Sequence, residues 1–128
     1  DVAIFADARV KHGRPLAPIG LREEIADLVE RGGADAVLLT GARTGEPPAE
    51  DELREAQLAA GGTPIWAASG IRAALLPRLG PHLDGMIVGT SIKRGGRTLG
   101  PIDVSRVQSL MRAVGAPRRA RSRPRRTK

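Results

Sequence analysis

The chain has 128 residues, 41% hydrophobic and only 2% aromatic, enough for one small domain with a mainly aliphatic interior. It has no cysteine, which excludes a disulfide framework and thiolate metal sites. No secretory signal and no apolar run near the roughly 18 residues of a membrane span are visible, so we expect a cytoplasmic protein without a transmembrane segment.

The net charge of +7 is concentrated at the end of the chain. Residues 118–128 hold seven of the 21 basic residues and no acidic one, which leaves 14 basic and 14 acidic residues in the rest. We therefore divide the chain into a neutral domain, residues 1–115, and a basic tail, residues 116–128, which we predict to be disordered. This charge distribution predicts weak, salt-dependent binding of residues 118–128 to polyanions.

The first predicted unit is a strand over residues 2–8 followed by a helix. The helix is indicated by apolar residues between Leu21 and Val29, whose spacing places them on one face. Asp7, Lys11 and His12 lie at the end of the strand or just after it, so that a carboxylate, a cation and an imidazole share one loop. A solvated polar loop is the simpler interpretation of each residue alone. Together they are candidate catalytic residues.

Two further strand–helix units follow. Residues 35–40 and 64–69 are continuous apolar runs typical of buried parallel strands. Residues 50–60 and 71–79 have the apolar spacing of helices, and the second of these is expected to be bent or shortened near Pro77.

Polar and glycine residues follow both strands. Thr40, Gly41 and Thr44 follow the first, and they offer hydroxyl groups, amides and a permissive backbone as a candidate ligand loop, although many loops of this kind look alike. Ser69 and Gly70 end the second strand in the same way.

A fourth short strand, residues 86–88, ends abruptly in Gly89, Thr90 and Ser91, with Lys93 close behind. Glycine lets a ligand approach the backbone, the amides and hydroxyls of the next two residues can donate to an anion, and the lysine adds positive charge. The stretch predicts a phosphate site. A buried strand followed by a polar turn explains this stretch alone equally well.

The last helix runs from Val104 to Val114, with Asp103 as its N-cap. The chain thus alternates strand and helix four times, which predicts an α/β fold with a parallel sheet covered by helices. A complete (β/α)₈ barrel needs about 200 residues or more. The chain is therefore the C-terminal half of a barrel, a small open α/β sheet, or one of two copies that complete a barrel. A chain that starts in a strand, with Asp rather than Met, favours the half-barrel. Its exposed sheet edges then predict a homo-oligomer, or a missing N-terminal half-barrel as partner.

A series of short segments, taken in order, resembles the C-terminal half of the BtpA family of (β/α)₈ barrel proteins, which is similar to the ribulose-phosphate-binding barrels. The likeness runs from about residue 2 to about residue 114. Single segments are weak, but the whole series is fairly specific. The segments are Phe5–Asp7, Val10–His12, Gly33–Val37, Thr40–Gly41, Thr44–Pro47, Pro64, Ser69–Gly70, Asp84–Lys93, Pro101–Asp103 and Arg106–Val107.

The resemblance implies a TIM-type barrel that binds a phosphorylated small molecule, sugar- or nucleoside-phosphate-like, at the carboxyl ends of its strands. Asp7, Lys11 and His12 would face the reacting part of the ligand, with His12 as acid or base and Asp7 as orienting group or metal ligand. No reaction, cofactor or metal-ligand cluster follows from the residues, and whether the chain is an enzyme stays open. The residues expected to hold the phosphate are Ser69, Gly70, Gly89, Thr90, Ser91 and Lys93.

Two other functions remain candidates. The family is named for a member required to accumulate photosystem I in cyanobacteria, so a non-catalytic assembly or biogenesis factor is one, of the photosystem type if the organism is photosynthetic. Two features favour it: Ile71–Ala74 contains no Asn where the family usually has one, and Arg72 stands in that neighbourhood. Gly100-Pro101 is a further departure, since the family usually has Asn-Pro there. The other candidate is nucleic-acid association through the tail. The scarcity of aromatic residues argues against base stacking by the domain itself.

Overall fold

The computed structural model describes residues 2–10, 13, 16–43 and 45–115. Its strands are β1 (Phe5–Ala8), β2 (Ala36–Leu39), β3 (Ile65–Ala68) and β4 (Gly85–Ile87). Its α-helices are α1 (Leu21–Ala26), α2 (Glu50–Ala59), α3 (Leu76–Leu79) and α4 (Val104–Gly115). The predicted order of four strand–helix units is confirmed. The tail that we predict to be disordered, residues 116–128, lies outside the described residues.

The four strands form one parallel sheet in the order β1-β2-β3-β4, so each strand pairs with its neighbours in sequence. The alternation of apolar strands and helices predicts this arrangement, and the parallel βα units are confirmed. Within the described part of the chain, β1 and β4 are the edges of the sheet. The carboxyl ends of all four strands therefore lie at the same end of the sheet.

The ends of the helices follow from local chemistry. The helix that begins with α1 continues through a π-helical segment, Asp27–Arg31, where the Gly32 amide donates to the Asp27 carbonyl at 2.9 Å. The third helix is short, as Pro77 predicts, and is flanked by 3₁₀ turns. Asp103 caps α4 by accepting from the Ser105 amide at 3.0 Å, as predicted. No helix of the described residues has the length and apolarity needed to cross a membrane.

One face of the sheet is covered by helices. Side chains alternate along each strand, and the strand register places Ala8, Leu39 and Ala67 on this face, all of them buried. They belong to one apolar cluster with Ile25 of α1 and Leu53 of α2, both fully buried. The core of the described domain therefore lies between the sheet and its helices.

The opposite face, which we call the uncovered face, carries Phe5, Leu38, Trp66 and Ile87 by the same alternation. Phe5 is 46% exposed and Ile87 is 52% exposed. The rings of Phe5 and Trp66 meet edge to face, with their centroids 5.0 Å apart. Trp66 lies over Gly85 of β4, where any side chain would overlap the indole ring. Apolar side chains are thus exposed on this face of the sheet, which the same alternation shows Asp7 to share.

Candidate functional site

A cavity of about 600 Å³ lies at the carboxyl ends of β3 and β4, between the loops that follow these two paired strands. Its volume is in the usual range for sites that bind small molecules. The cavity forms here because consecutive parallel strands lie side by side, so that their loops meet. The lining residues are Gly45, Ser69, Gly70, Ile71, Arg72, Ile87, Val88, Gly89, Thr90, Ser91, Gly96, Thr98 and Arg106.

Most of the residues predicted to bind phosphate come together in this cavity. Ser69 and Gly70 line it from the β3 loop, and residues 89–91 line it from the β4 loop. Lys93 is not among the lining residues, and its ammonium group donates a hydrogen bond to the carbonyl of Thr98, which does line the cavity. The meeting of the two loops is therefore observed, while phosphate binding there stays a prediction.

The β3 loop has an unusual backbone at the cavity wall. Ser69 has a φ of +119°, a value that residues with a Cβ atom rarely adopt. Its hydroxyl accepts a hydrogen bond from the Gly45 amide at 3.3 Å. Gly70 has a φ of +66°, and a side chain there would overlap the backbone of Glu46 and Pro47. Gly70 is thus required for the loop after β2 to pack against the loop after β3.

The β4 loop presents backbone groups with little obstruction. A side chain built on Gly89 would meet no atom within 4 Å, so this glycine faces open space. Thr90 and Ser91 begin a 3₁₀ turn, and the first amides of such a turn have no partner within the turn itself. The Ser91 hydroxyl donates to the Ile71 carbonyl at 2.6 Å, which ties the two loops together.

Two arginines that were not predicted as site residues, Arg72 and Arg106, also line the cavity. Arg106 stands in the first turn of α4, and its Nη1 donates to the Ser91 carbonyl at 3.2 Å. The resemblance to the family includes Arg106, but the sequence alone does not show towards which loop its side chain extends. The signal that could have found it is its position three residues after the N-cap of the helix that follows the β4 loop.

Asp103 is the acidic neighbour of this cation. Its Oδ2 lies 3.8 Å from Nε of Arg106, and its Oδ1 accepts from the Ser105 hydroxyl at 2.6 Å. The hydrogen bond from the Ser105 side chain, those from the Arg106 and Ser105 amides, and the Arg106 charge lower the pKa of Asp103 below its ordinary value of 3.8, against a smaller opposing effect of burial. Asp103 is therefore ionised at neutral pH and partly offsets the charge of Arg106.

The candidate catalytic residues are not part of this cavity as described. Asp7 is exposed at the end of β1, and β2 separates that strand from β3 and the cavity. Lys11 and His12 lie outside the described residues. Arg9, which follows Asp7, is paired with Glu24 of α1, since its amide donates to Oε1 at 2.8 Å. The catalytic roles therefore stay predictions.

The candidate ligand loop after β2 contains one glycine that its packing requires. Gly41 is buried, and a side chain there would overlap the backbone of Glu46 and Pro47. The hydroxyl oxygen of Thr40 is buried and has no hydrogen-bond partner within the described part of the chain. Thr44 lies outside the described residues. Thr40 therefore has a buried polar atom that a ligand or water could satisfy.

Comparison with known proteins connects this geometry to a family. The BtpA family model matches residues 1–116. The Photosystem I biogenesis protein BtpA of Synechocystis sp. is 41% identical over 114 residues, which cover 89% of this chain and 40% of that protein. Uncharacterized proteins of Archaeoglobus fulgidus and Pyrococcus horikoshii are 41% and 34% identical, and the matches cover 87% and 88% of this chain and 42% of each relative. The chain thus spans about two fifths of the length of these relatives. No solved structure matches the chain.

Proposed function

The chain belongs to the BtpA family, and from this premise we propose that the cavity between the β3 and β4 loops binds the phosphate group of a small phosphorylated molecule, sugar- or nucleoside-phosphate-like. We also propose that its four βα units are the C-terminal half of a TIM-type (β/α)₈ barrel of the ribulose-phosphate-binding class. In TIM barrels a phosphate commonly lies at the loops after the last two strands. In this assignment those strands are β3 and β4.

The observation that carries the proposal is the charge of the cavity wall. Arg72 and Arg106 contribute positive charge, that of Arg106 being partly offset by Asp103, and no Asp or Glu is among the described residues that line the cavity. Two unit charges 4 Å apart interact with about 1 kcal/mol in bulk water and about 4 kcal/mol at the effective dielectric constant of a protein surface. An anion in the cavity is therefore attracted more strongly than one in open water.

The backbone supports the same ligand. Gly89 leaves the cavity open, and the amides of Thr90 and Ser91 start a turn beside it. Backbone N–H groups that converge on one point are suited to bind phosphate oxygens. The apolar part of the wall, formed by Ile71, Ile87 and Val88, would contact the remainder of the ligand.

The test is a titration of the chain with inorganic phosphate and with a pentose phosphate, followed through backbone amide shifts. We expect shifts at residues 69–70 and 89–91. Gly89→Val should abolish them, because its side chain would occupy the space of the phosphate, and a Cβ atom there meets no protein atom within 4 Å. Thr90→Ala should weaken binding by roughly 2- to 12-fold, the loss of one hydroxyl hydrogen bond of about 0.5–1.5 kcal/mol.

Gly115→Val is the matched control. Gly115 ends α4, faces open space as Gly89 does, and is nine residues from Arg106, roughly 13 Å along the helix. This variant should bind phosphate like the unsubstituted chain. Shifts confined to other loops, or equal affinity of Gly89→Val and the unsubstituted chain, would contradict the proposal.

A second candidate, a non-catalytic biogenesis factor, is supported by a different observation. The relative from Synechocystis is named for photosystem I biogenesis, and this chain is 41% identical to it over 114 residues. A chain that binds neither inorganic phosphate nor the pentose phosphate, but keeps a well-dispersed amide spectrum, would favour this second function.

A catalytic role is proposed for Asp7, with Lys11 and His12 as its neighbours in sequence. Asp7 lies near the carboxyl end of β1, and the cavity also lies at the carboxyl ends of the strands. In a closed barrel, side chains at this end converge on the ligand from several strands. Asp7→Asn should therefore leave phosphate affinity unchanged to within about twofold while removing any turnover of the ligand.

A further inference from the structure

The geometry points to Arg106 as the residue that binds the anionic group in the cavity. Its guanidinium group would form a bidentate contact with the terminal phosphate of a monoester. The inference rests on the proposed phosphate site. It goes further by naming the cation and its mode of contact, since the residue predicted from the sequence for this charge was Lys93.

Lys93 is engaged in contacts within its own loop. Its ammonium group donates to the Thr98 carbonyl, and its backbone forms an isolated antiparallel bridge with Ile102. Both contacts hold the loop between β4 and α4 together. The side chain is half-buried in this arrangement and does not line the cavity. Lys93 therefore acts on the shape of the loop.

Arg106 is held at the cavity from one side. Its Nη1 donates to the Ser91 carbonyl at 3.2 Å, and its Nε lies 3.8 Å from the Asp103 carboxylate. The first contact comes from the β4 loop and the second from the N-cap of α4, so the guanidinium group is fixed beside the residue 89–91 turn. Its side chain is 44% exposed, which leaves the other side accessible from the cavity.

The remaining donors of Arg106 suit a phosphate. A guanidinium group has five N–H donors, and the hydrogen bond to Ser91 uses one of them. Two parallel N–H groups match two oxygens of a phosphate, a geometry that an ammonium group cannot reproduce. Gly96 lies beside this group, since a Cβ atom built there would stand 4.0 Å from Nη1.

The experiment compares the affinity for inorganic phosphate of four chains by the amide-shift titration: the unsubstituted chain, Arg106→Gln, Arg106→Lys and Arg112→Gln. Arg112 is in the last turn of the same helix and does not line the cavity, so its substitution removes the same charge at a distance. We expect Arg106→Gln to weaken binding roughly 10- to 100-fold, and Arg112→Gln to change it less than about twofold. Arg106→Lys should lose roughly 3- to 10-fold, since it keeps the charge and loses the paired donors.

The outcomes separate this inference from the proposed function. If the unsubstituted chain gives no shifts, the phosphate site itself is wrong. If the unsubstituted chain binds phosphate and Arg106→Gln binds it equally well, the bidentate contact is overturned and the phosphate site stands. The same holds if Arg106→Lys and the unsubstituted chain have equal affinity for phosphate. Arg106→Lys also keeps the test valid if Arg106→Gln loosens the helix, which its melting temperature would show.

Discussion

Ser69 is held in a backbone conformation that favours glycine, and two substitutions can separate the strain from the hydrogen bond. At a φ of +119°, the Cβ of Ser69 makes the conformation unfavourable by roughly 1–3 kcal/mol. Ser69→Ala keeps this strain and loses the hydrogen bond from the Gly45 amide, which is long at 3.3 Å and contributes about 0.5–1.5 kcal/mol. We expect Ser69→Ala to be destabilised by that amount.

Ser69→Gly loses the same hydrogen bond but relieves the strain. The relief is reduced by about 0.4–1 kcal/mol, because glycine gives the unfolded chain more freedom. The free energy of unfolding of Ser69→Gly should therefore exceed that of Ser69→Ala by roughly 1 kcal/mol. Urea denaturation measures this difference, with the fluorescence of Trp66, the one tryptophan of the chain, as the signal.

The same pair of substitutions at Ser109 is the matched control. Ser109 is exposed within α4, where helical φ angles suit alanine, so Ser109→Gly should be less stable than Ser109→Ala by about 1 kcal/mol. The order of the two variants should thus be opposite at the two sites. If Ser69→Ala is as stable as Ser69→Gly or more stable, Ser69 is not strained and the explanation of its conformation is refuted.

Three further results are expected. Asp103→Ala should lower the melting temperature more than Asp103→Asn, because Asn still caps the helix. Since the pKa of Asp103 is lowered on folding, its charge should stabilise the fold above pH 3.8, and this effect should disappear as the pH falls through the lower folded pKa. Equal melting temperatures of Asp103→Asn and the unsubstituted chain at neutral pH would contradict this effect of the charge. The chain should sediment as a dimer or larger species at micromolar concentration, and Phe5→Lys on the uncovered face should reduce this association while Leu58→Lys, at a 74% exposed position of α2, should not; a stable monomer would disprove the association. Deletion of residues 118–128 should abolish retention on heparin with little change in melting temperature, whereas retention that survives the deletion would place the anion-binding surface in the domain.

The elements of the fold could be predicted because each has a local cause. Apolar runs define the four strands, Pro77 shortens the third helix and Asp103 caps the last. The predicted helix after β1 differs in detail, since its second half is π-helical. That difference depends on which carbonyl the Gly32 amide reaches, and the apolar spacing of the helix does not contain this information.

The site was predictable at the level of loops and less so at the level of side chains. Residues 69–70 and 89–91 meet because consecutive parallel strands pair, which is a general property of βα units. Whether a long basic side chain reaches the cavity depends on the path of the loop between β4 and α4, which turns Lys93 towards Thr98 and places Arg106 beside Ser91. Sequence spacing does not determine such a path, because the loop contains Gly95 and Gly96, both with a φ of +65°.

The order β1-β2-β3-β4 also has a consequence for how the molecule is assembled during synthesis. Each strand finds its partner across a single βα unit, as from Phe5 to Ala36 and from Trp66 to Gly85. The entropy of closing these connections differs by less than about 1 kcal/mol, so no pairing is strongly favoured by chain length alone. The order in which the chain leaves the ribosome then determines which units can form first. The cavity requires β3, β4 and the first turn of α4 together, so the growing chain can complete it only after all four strands have been made.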